Sequence, residues 1–148
     1  MIQRLFPGGK TKAFNISYDD GVIQDIRFVE MLNRYGLKGT FNLNYGLMHQ
    51  NFTWQHECGM TVRRIPEQQV RAVYDGHEVA SHSYSHPYFD SASETEILKE
   101  LGSDKFFLEK LFEKSHIPVK TVLDLVSGKT VPEKELTVKP KLIRRTSL

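Results

Sequence analysis

Ala13-Phe14-Asn15-Ile16-Ser17-Tyr18-Asp19-Asp20-Gly21 is the stretch on which the reading of the fold turns. Apolar and polar side chains alternate through its first half, the period of a strand, which predicts β-structure from about Lys12 to Ser17. The strand then runs into two adjacent carboxylates and a glycine. Neighbouring residues on an extended chain point to opposite sides. A turn at Gly21, where positive φ is free of steric cost, can re-aim one of them. Two carboxylates at the end of a buried strand repel each other and are costly to desolvate, and a bound cation relieves both problems. Taken alone, Asp-Asp-Gly also reads as an ordinary turn closing a strand.

Outward from this stretch the chain repeats the same plan. A helix is predicted from about Gln24 to Tyr35, with Phe28, Val29, Leu32 and Tyr35 on one face and Gly36 as its stop. A second strand is predicted over Gly39 to Asn44, followed by a long loop from Tyr45 to Arg64. Pro66 opens a short helix, a position that proline favours. A third strand, His77 to Ala80, leads into Ser81-His82-Ser83-Tyr84-Ser85-His86-Pro87. Ser93 and Glu96 form a capping box for a third helix. Ile97, Leu101, Leu108, Leu111 and Phe112 make the core stripe of that helix, and Gly102 weakens its middle. Val119 to Val126 reads as a fourth strand. Strands alternating with helices predict an α/β fold with a parallel sheet or barrel, whose active residues sit at the carboxyl ends of strands. Both charged motifs fall there.

His82 and His86 are four residues apart, a spacing that can bring two imidazoles to one side of a tight loop. Two histidines and one carboxylate leave coordination positions open, as a catalytic zinc requires. The hydroxyl of Ser83 or Ser85 could orient an imidazole from behind. The alternative is two surface histidines in a polar loop. His77 reads as a strand boundary, His49, His56 and Cys58 as incidental loop residues, and His116 as a helix-end cation.

The totals set the remaining bounds. The 148 residues are 39% hydrophobic, enough for the core of a single globular domain. The net charge of +2 gives no electrostatic argument for nucleic acid, and a single cysteine, Cys58, excludes an intrachain disulfide. No apolar run is long enough to span a membrane and no signal-peptide pattern opens the chain, so a cytoplasmic location is expected. Residues 127–148 read as a basic, poorly packed tail beyond a domain at 10–126.

The two motifs together resemble those of the polysaccharide deacetylase family, the NodB-homology domain of carbohydrate esterase family four. Ser17-Tyr18-Asp19-Asp20-Gly21 is similar to its Thr-Phe-Asp-Asp-Gly motif, and His82 to His86 to its His-Ser/Thr-x-x-His motif. The resemblance covers about residues 10 to 115. It implies the N-terminal part of a distorted (β/α) barrel of about three βα units. It implies a divalent metal, most often zinc, held by Asp20, His82 and His86, with Asp19 as general base. The implied substrate is an N- or O-acetylated carbohydrate or a related small amide, with no nucleic-acid or membrane partner.

The family's later motifs, an arginine-proline segment, a tryptophan wall and a histidine acid, find no match after Phe112. The chain is therefore expected to be a shortened member. Its open sheet edge invites self-association. The alternative to a working hydrolase is a non-catalytic metal- or carbohydrate-binding remnant.

Overall fold

The computed structural model describes residues 6, 9–113 and 119–120. The predicted tail, His116 and most of the predicted fourth strand lie outside the described residues. The elements in order are β1 (Ser17–Asp19), α1 (Asp25–Arg34), β2 (Thr40–Leu43), α2 (Tyr45–His49), β3 (Thr53–Gln55), β4 (Thr61–Arg63), α3 (Glu67–Val73), β5 (Glu78–Ser81), α4 (Glu94–Phe112) and β6 (Val119–Lys120). Strands β1, β2, β5 and β6 form a parallel sheet in the order β1-β2-β5-β6, and β3 and β4 form a separate antiparallel pair. Among the described residues no sheet closes, so the architecture is an open mixed α/β fold.

The sheet has two unlike faces. Tyr18, Phe41 and Val79 stand in register across β1, β2 and β5. Phe41, Leu43 and Val79 are fully buried, in one cluster with Val29 and Leu32 of α1, Val70 of α3 and Leu108 and Phe112 of α4. Tyr18 and Phe28 pack ring to ring at 5.1 Å, and Phe41 and Tyr74 at 4.7 Å. On the opposite face Ser17, Thr40 and Glu78 share one register row, and Asp19, Asn42 and Ala80 the next. Thr40 Oγ1 donates to Glu78 Oε1 at 2.9 Å across that polar face.

Several boundaries move relative to the sequence reading. β1 is Ser17–Asp19, later than Lys12 to Ser17, because pairing with β2 begins only where Thr40 N donates to Ile16 O. The stretch from Tyr45 to Arg64 is not a loop: it folds as α2 and the β3–β4 hairpin. The hairpin is anchored where Arg64 N donates to Phe52 O and Ile23 N to Arg63 O. Tyr35, predicted on the buried face of α1, is 72% exposed because it caps the helix and α1 ends at Arg34. Gly36 does stop α1, with φ +65° and Leu37 N donating back to Leu32 O. The Ser93–Glu96 capping box is present, and Gly102 sits within a continuous α4.

His77 is buried rather than a plain boundary residue. Its Nδ1 accepts from Gly39 N at 3.2 Å and its Nε2 lies 3.1 Å from Asn33 Oδ1. That pairing fits a neutral ring, and burial first, then Lys38, lowers its pKa. Its role is to tie β2 to α1.

Candidate metal centre

The site lies at the carboxyl ends of β1 and β5, with the end of β2 between them. Neighbouring strands are about 4.8 Å apart, so groups on β1 and β5 start about 10 Å from each other. The gap closes because both chain segments lean on β2 and then turn. Asp20 N donates to Asn42 O at 2.9 Å, and His82 N donates to Leu43 O at 2.9 Å. Asp20 then adopts φ +83° and Gly21 φ +62°, so Asp20 departs from the strand that carries Asp19. A Cβ on Gly21 would meet Leu43 Cδ2 at 2.8 Å, so only glycine lets the turn lie this close to β2. On the other side Ser83 and His86 take φ +68° and +57°. Left-handed backbone at such residues costs of order 1–3 kcal/mol and persists where surrounding structure fixes it.

Asp20, His82 and His86 are brought together: one ligand atom from each lies within 4.8 Å of the others. The imidazole centroids of His82 and His86 are 4.9 Å apart, and His86 Nε2 is 3.9 Å from Asp20 Oδ1. Asp20 Oδ1 is buried and accepts no hydrogen bond among the described residues, although Arg64 Nη1 lies 3.0 Å away. One carboxylate oxygen and two imidazole nitrogens converging are a donor set that fits a divalent cation of borderline softness such as zinc, with the Arg64 guanidinium 3.0 Å from the same oxygen. Asp19 is not part of this cluster. It is exposed on the polar sheet face, where Asn42 Nδ2 donates to its Oδ1 at 2.5 Å. The adjacent carboxylates are thus separated into one that converges with the histidines and one held by Asn42.

Residues unmarked in the sequence hold this arrangement. Arg64, only 4% exposed, donates through Nη1 to the Asp20 carbonyl and stands 5.1 Å over the Trp54 ring. Asn44, fully buried, donates through Nδ2 to the carbonyls of His82 and Ser83. Ser83, expected to orient an imidazole through its hydroxyl, shows no such bond among the described residues; its carbonyl is the group that is held. Asp104 of α4 is fully buried and accepts from Ser81 Oγ at 2.6 Å, His82 N at 3.2 Å and Tyr45 N at 2.7 Å. Burial pushes its carboxyl up to about 7, against the lowering effect of these donors. Asp25, also buried, accepts from the Tyr74 hydroxyl at 2.5 Å, and burial pushes it up to about 6. Beyond His86 a cavity of about 290 Å³ is lined by Pro87, Tyr88, Phe89 and Ser91 with Glu96 and Glu100.

The family pattern described as polysaccharide deacetylase matches residues 8–120. The chain belongs to the polysaccharide deacetylase family. The match spans both the Asp-Asp-Gly and the His-x-x-x-His motifs. A peptidoglycan-N-acetylmuramic acid deacetylase of Bacillus subtilis, PdaC, is 36% identical over 53 residues, which is 36% of this chain and 11% of that protein. The aligned segment is thus about a tenth of the relative's length. No solved structure matches the chain. No helix among the described residues is long and apolar enough to cross a membrane.

Other histidines stand apart from this group. His49 pairs with Glu67 at 2.9 Å, and Glu67 also accepts from Tyr45 Oη. His56 lies at the exposed turn of the β3–β4 hairpin, 3.2 Å from Cys58 Sγ.

Proposed function

We propose that this chain is a metal-dependent hydrolase removing N- or O-linked acetyl groups from a carbohydrate, with zinc held by Asp20, His82 and His86. The observation that carries the reading is the convergence of those three side chains within 4.8 Å in a member of this family. When bound, a zinc ion supplies Lewis acidity and a more acidic water. Asp19 serves as general base: its carboxylate, one residue from the ligand Asp20 and fixed through Oδ1 by Asn42, takes the proton of the attacking water. The oxygen of that water forms the new bond to the acetyl carbon as the C–N or C–O bond breaks. The amine or alcohol departs with the proton that Asp19 took from the water, and acetate is released. The buried Arg64 guanidinium fixes the Asp20 turn from behind through the main-chain carbonyl. The substrate in this reading is an N-acetylated glycan or a small acetamide, and the exposed ring of Tyr88, which follows His86 and Pro87 in the chain, offers a sugar an apolar face. In the same reading the chain self-associates through the open edge at β1.

The test is metal analysis of purified protein together with acetate release from N-acetylglucosamine oligomers and from peptidoglycan. One equivalent of zinc, lost in His82→Ala, and acetate release that falls about 10²–10⁴-fold in Asp19→Asn with zinc retained, are the expected results. Full occupancy in His82→Ala overturns the ligand set. Unchanged turnover in Asp19→Asn removes Asp19 from the reaction. Stoichiometric zinc with no acetate from any substrate leaves a binding protein in place of an enzyme.

A further inference from the structure

The segment that carries both histidines has little regular structure of its own. β5 ends at Ser81, and two of the residues that follow, Ser83 and His86, have left-handed backbone. Such a segment does not hold two imidazoles 4.9 Å apart unaided. Asn44 holds the carbonyls of His82 and Ser83, and α4 grips the segment at both ends. Asp104 grips the start of the segment through Ser81 Oγ and His82 N. Glu100 grips its end: Ser85 N donates to Oε2 at 2.8 Å and Ser85 Oγ to Oε1 at 2.8 Å. The two carboxylates are four residues apart, one helical turn, and so lie on the same face of α4. The grip is two-pronged at Ser85, immediately before His86, which fixes the direction in which the chain enters that residue.

We propose that Glu100 and Asp104 are positioning residues for the two histidines, and that Glu100, through Ser85, sets the orientation of His86. The inference rests on the metal-binding reading above. Neither carboxylate is in the converging Asp20, His82 and His86 group, so neither is assigned as a ligand. Their part is to spare the loop the cost of ordering at the moment of binding. Loss of outer partners of metal ligands typically weakens metal affinity 10–100-fold. The helix that supplies them is itself fixed, by the capping box at its start and by Leu108 and Phe112 in the core. The sequence interval of about 15 residues between loop and helix is therefore bridged by a rigid element.

The experiment measures Zn²⁺ affinity by chelator competition and the visible spectrum of the Co²⁺ form, for the full chain and its variants. Asp104 is fully buried and its replacement risks unfolding, so Glu100 carries the test. Glu100→Ala should bind Zn²⁺ about 10–100-fold more weakly and change the shape of the Co²⁺ spectrum. Glu100→Gln can still accept from Ser85 N and donate to Ser85 Oγ, and should restore most of the affinity. Ser85→Ala added to Glu100→Ala should cost little more, because both remove one contact. Lys99→Ala, an exposed neighbour on the same helix, should match the parent chain. Parent-like affinity and spectrum in Glu100→Ala, no rescue by Gln, or additive losses with Ser85→Ala would each overturn the role of Glu100 while leaving the metal site standing. A parent chain that takes up no Zn²⁺ overturns the metal site itself, and this inference with it.

Discussion

Backbone angles, more than side-chain identity, separate the two carboxylates of the Asp-Asp-Gly motif. Asp19 keeps strand geometry opposite Asn42, while Asp20 turns to φ +83° toward the histidines. Behind Asp20 sits Asp25, buried without solvent contact, with Tyr74 donating to Oδ2 and Oδ1 lacking any partner among the described residues. Its pKa rises from 3.8 to about 6, by burial first and with a contribution from Asp20. The sign of the stability effect follows. Between 3.8 and about 6 the folded chain keeps a proton that the unfolded chain has lost, so stability falls as pH rises through that window. Above it the penalty is constant. Replacing Asp25 by asparagine removes the titration and leaves an oxygen to accept from Tyr74. The stability of Asp25→Asn relative to the parent, measured metal-free by urea unfolding, should therefore rise between about pH 4 and pH 7, by up to about 3 kcal/mol. A difference that is flat with pH would mean that Asp25 is not a buried acid of this kind. The three converging residues were legible in the sequence, because Asp20 follows a strand and His82 and His86 share a short local spacing. Arg64, Asn44, Glu100 and Asp104 were not. Each acts on a backbone group 15 to 44 residues away, and nothing local in their neighbourhoods distinguishes them from surface or capping residues.

Elements were legible where periodicity is long and stop signals are strong. α1 carries a helical stripe and a glycine stop and formed within a residue of its expected limits, and α4 starts at its expected capping box. The region from Tyr45 to Arg64 was read as a loop, because α2 has only five residues and β3 and β4 only three each. Elements so short carry too few residues to express a period, and their stability comes from tertiary contacts. α2 illustrates this. Its N-terminus is fixed by Asp104 accepting from Tyr45 N, and its Tyr45 ring stacks on Phe107 of α4 at 4.9 Å. Gly46 faces the histidine loop so closely that a Cβ there would stand 2.6 Å from the Tyr84 carbonyl oxygen and ring. The carbonyl belongs to the backbone that joins His82 to His86, and it cannot swing aside as a side chain would. Gly46→Ala should thus displace the loop, costing about 1–3 kcal/mol of stability and weakening Zn²⁺ binding in parallel. Thermal unfolding and metal titration of the one variant check both. Parent-like behaviour in both would show that α2 and the loop are not in the close contact described.

At the scale of the molecule the sheet sets both the site and a hazard. Parallel sheets are normally covered on both faces, and their strands read as apolar runs. Here one face is apolar and buried under α1, α3 and α4, while the other carries Ser17, Asp19, Thr40, Asn42 and Glu78. A polar face beside the converging Asp20, His82 and His86 side chains suits contact with water or a hydrophilic molecule better than a second helical layer. Its cost lies at the edge. Among the described residues β1 pairs only with β2, all three of its residues are exposed, and Phe14 just before it is 80% exposed. Unpaired strand edges are templates for pairing with another chain. The chain should therefore self-associate in a concentration-dependent way, visible by sedimentation velocity across a wide range of protein concentration. Placing a charge at the exposed approach to the edge, as in Phe14→Lys, should shift the distribution toward monomer without changing Zn²⁺ affinity, since Phe14 lies outside the converging group. A sharp monomer at every concentration for the parent chain would mean that the edge of β1 is not available for pairing in solution.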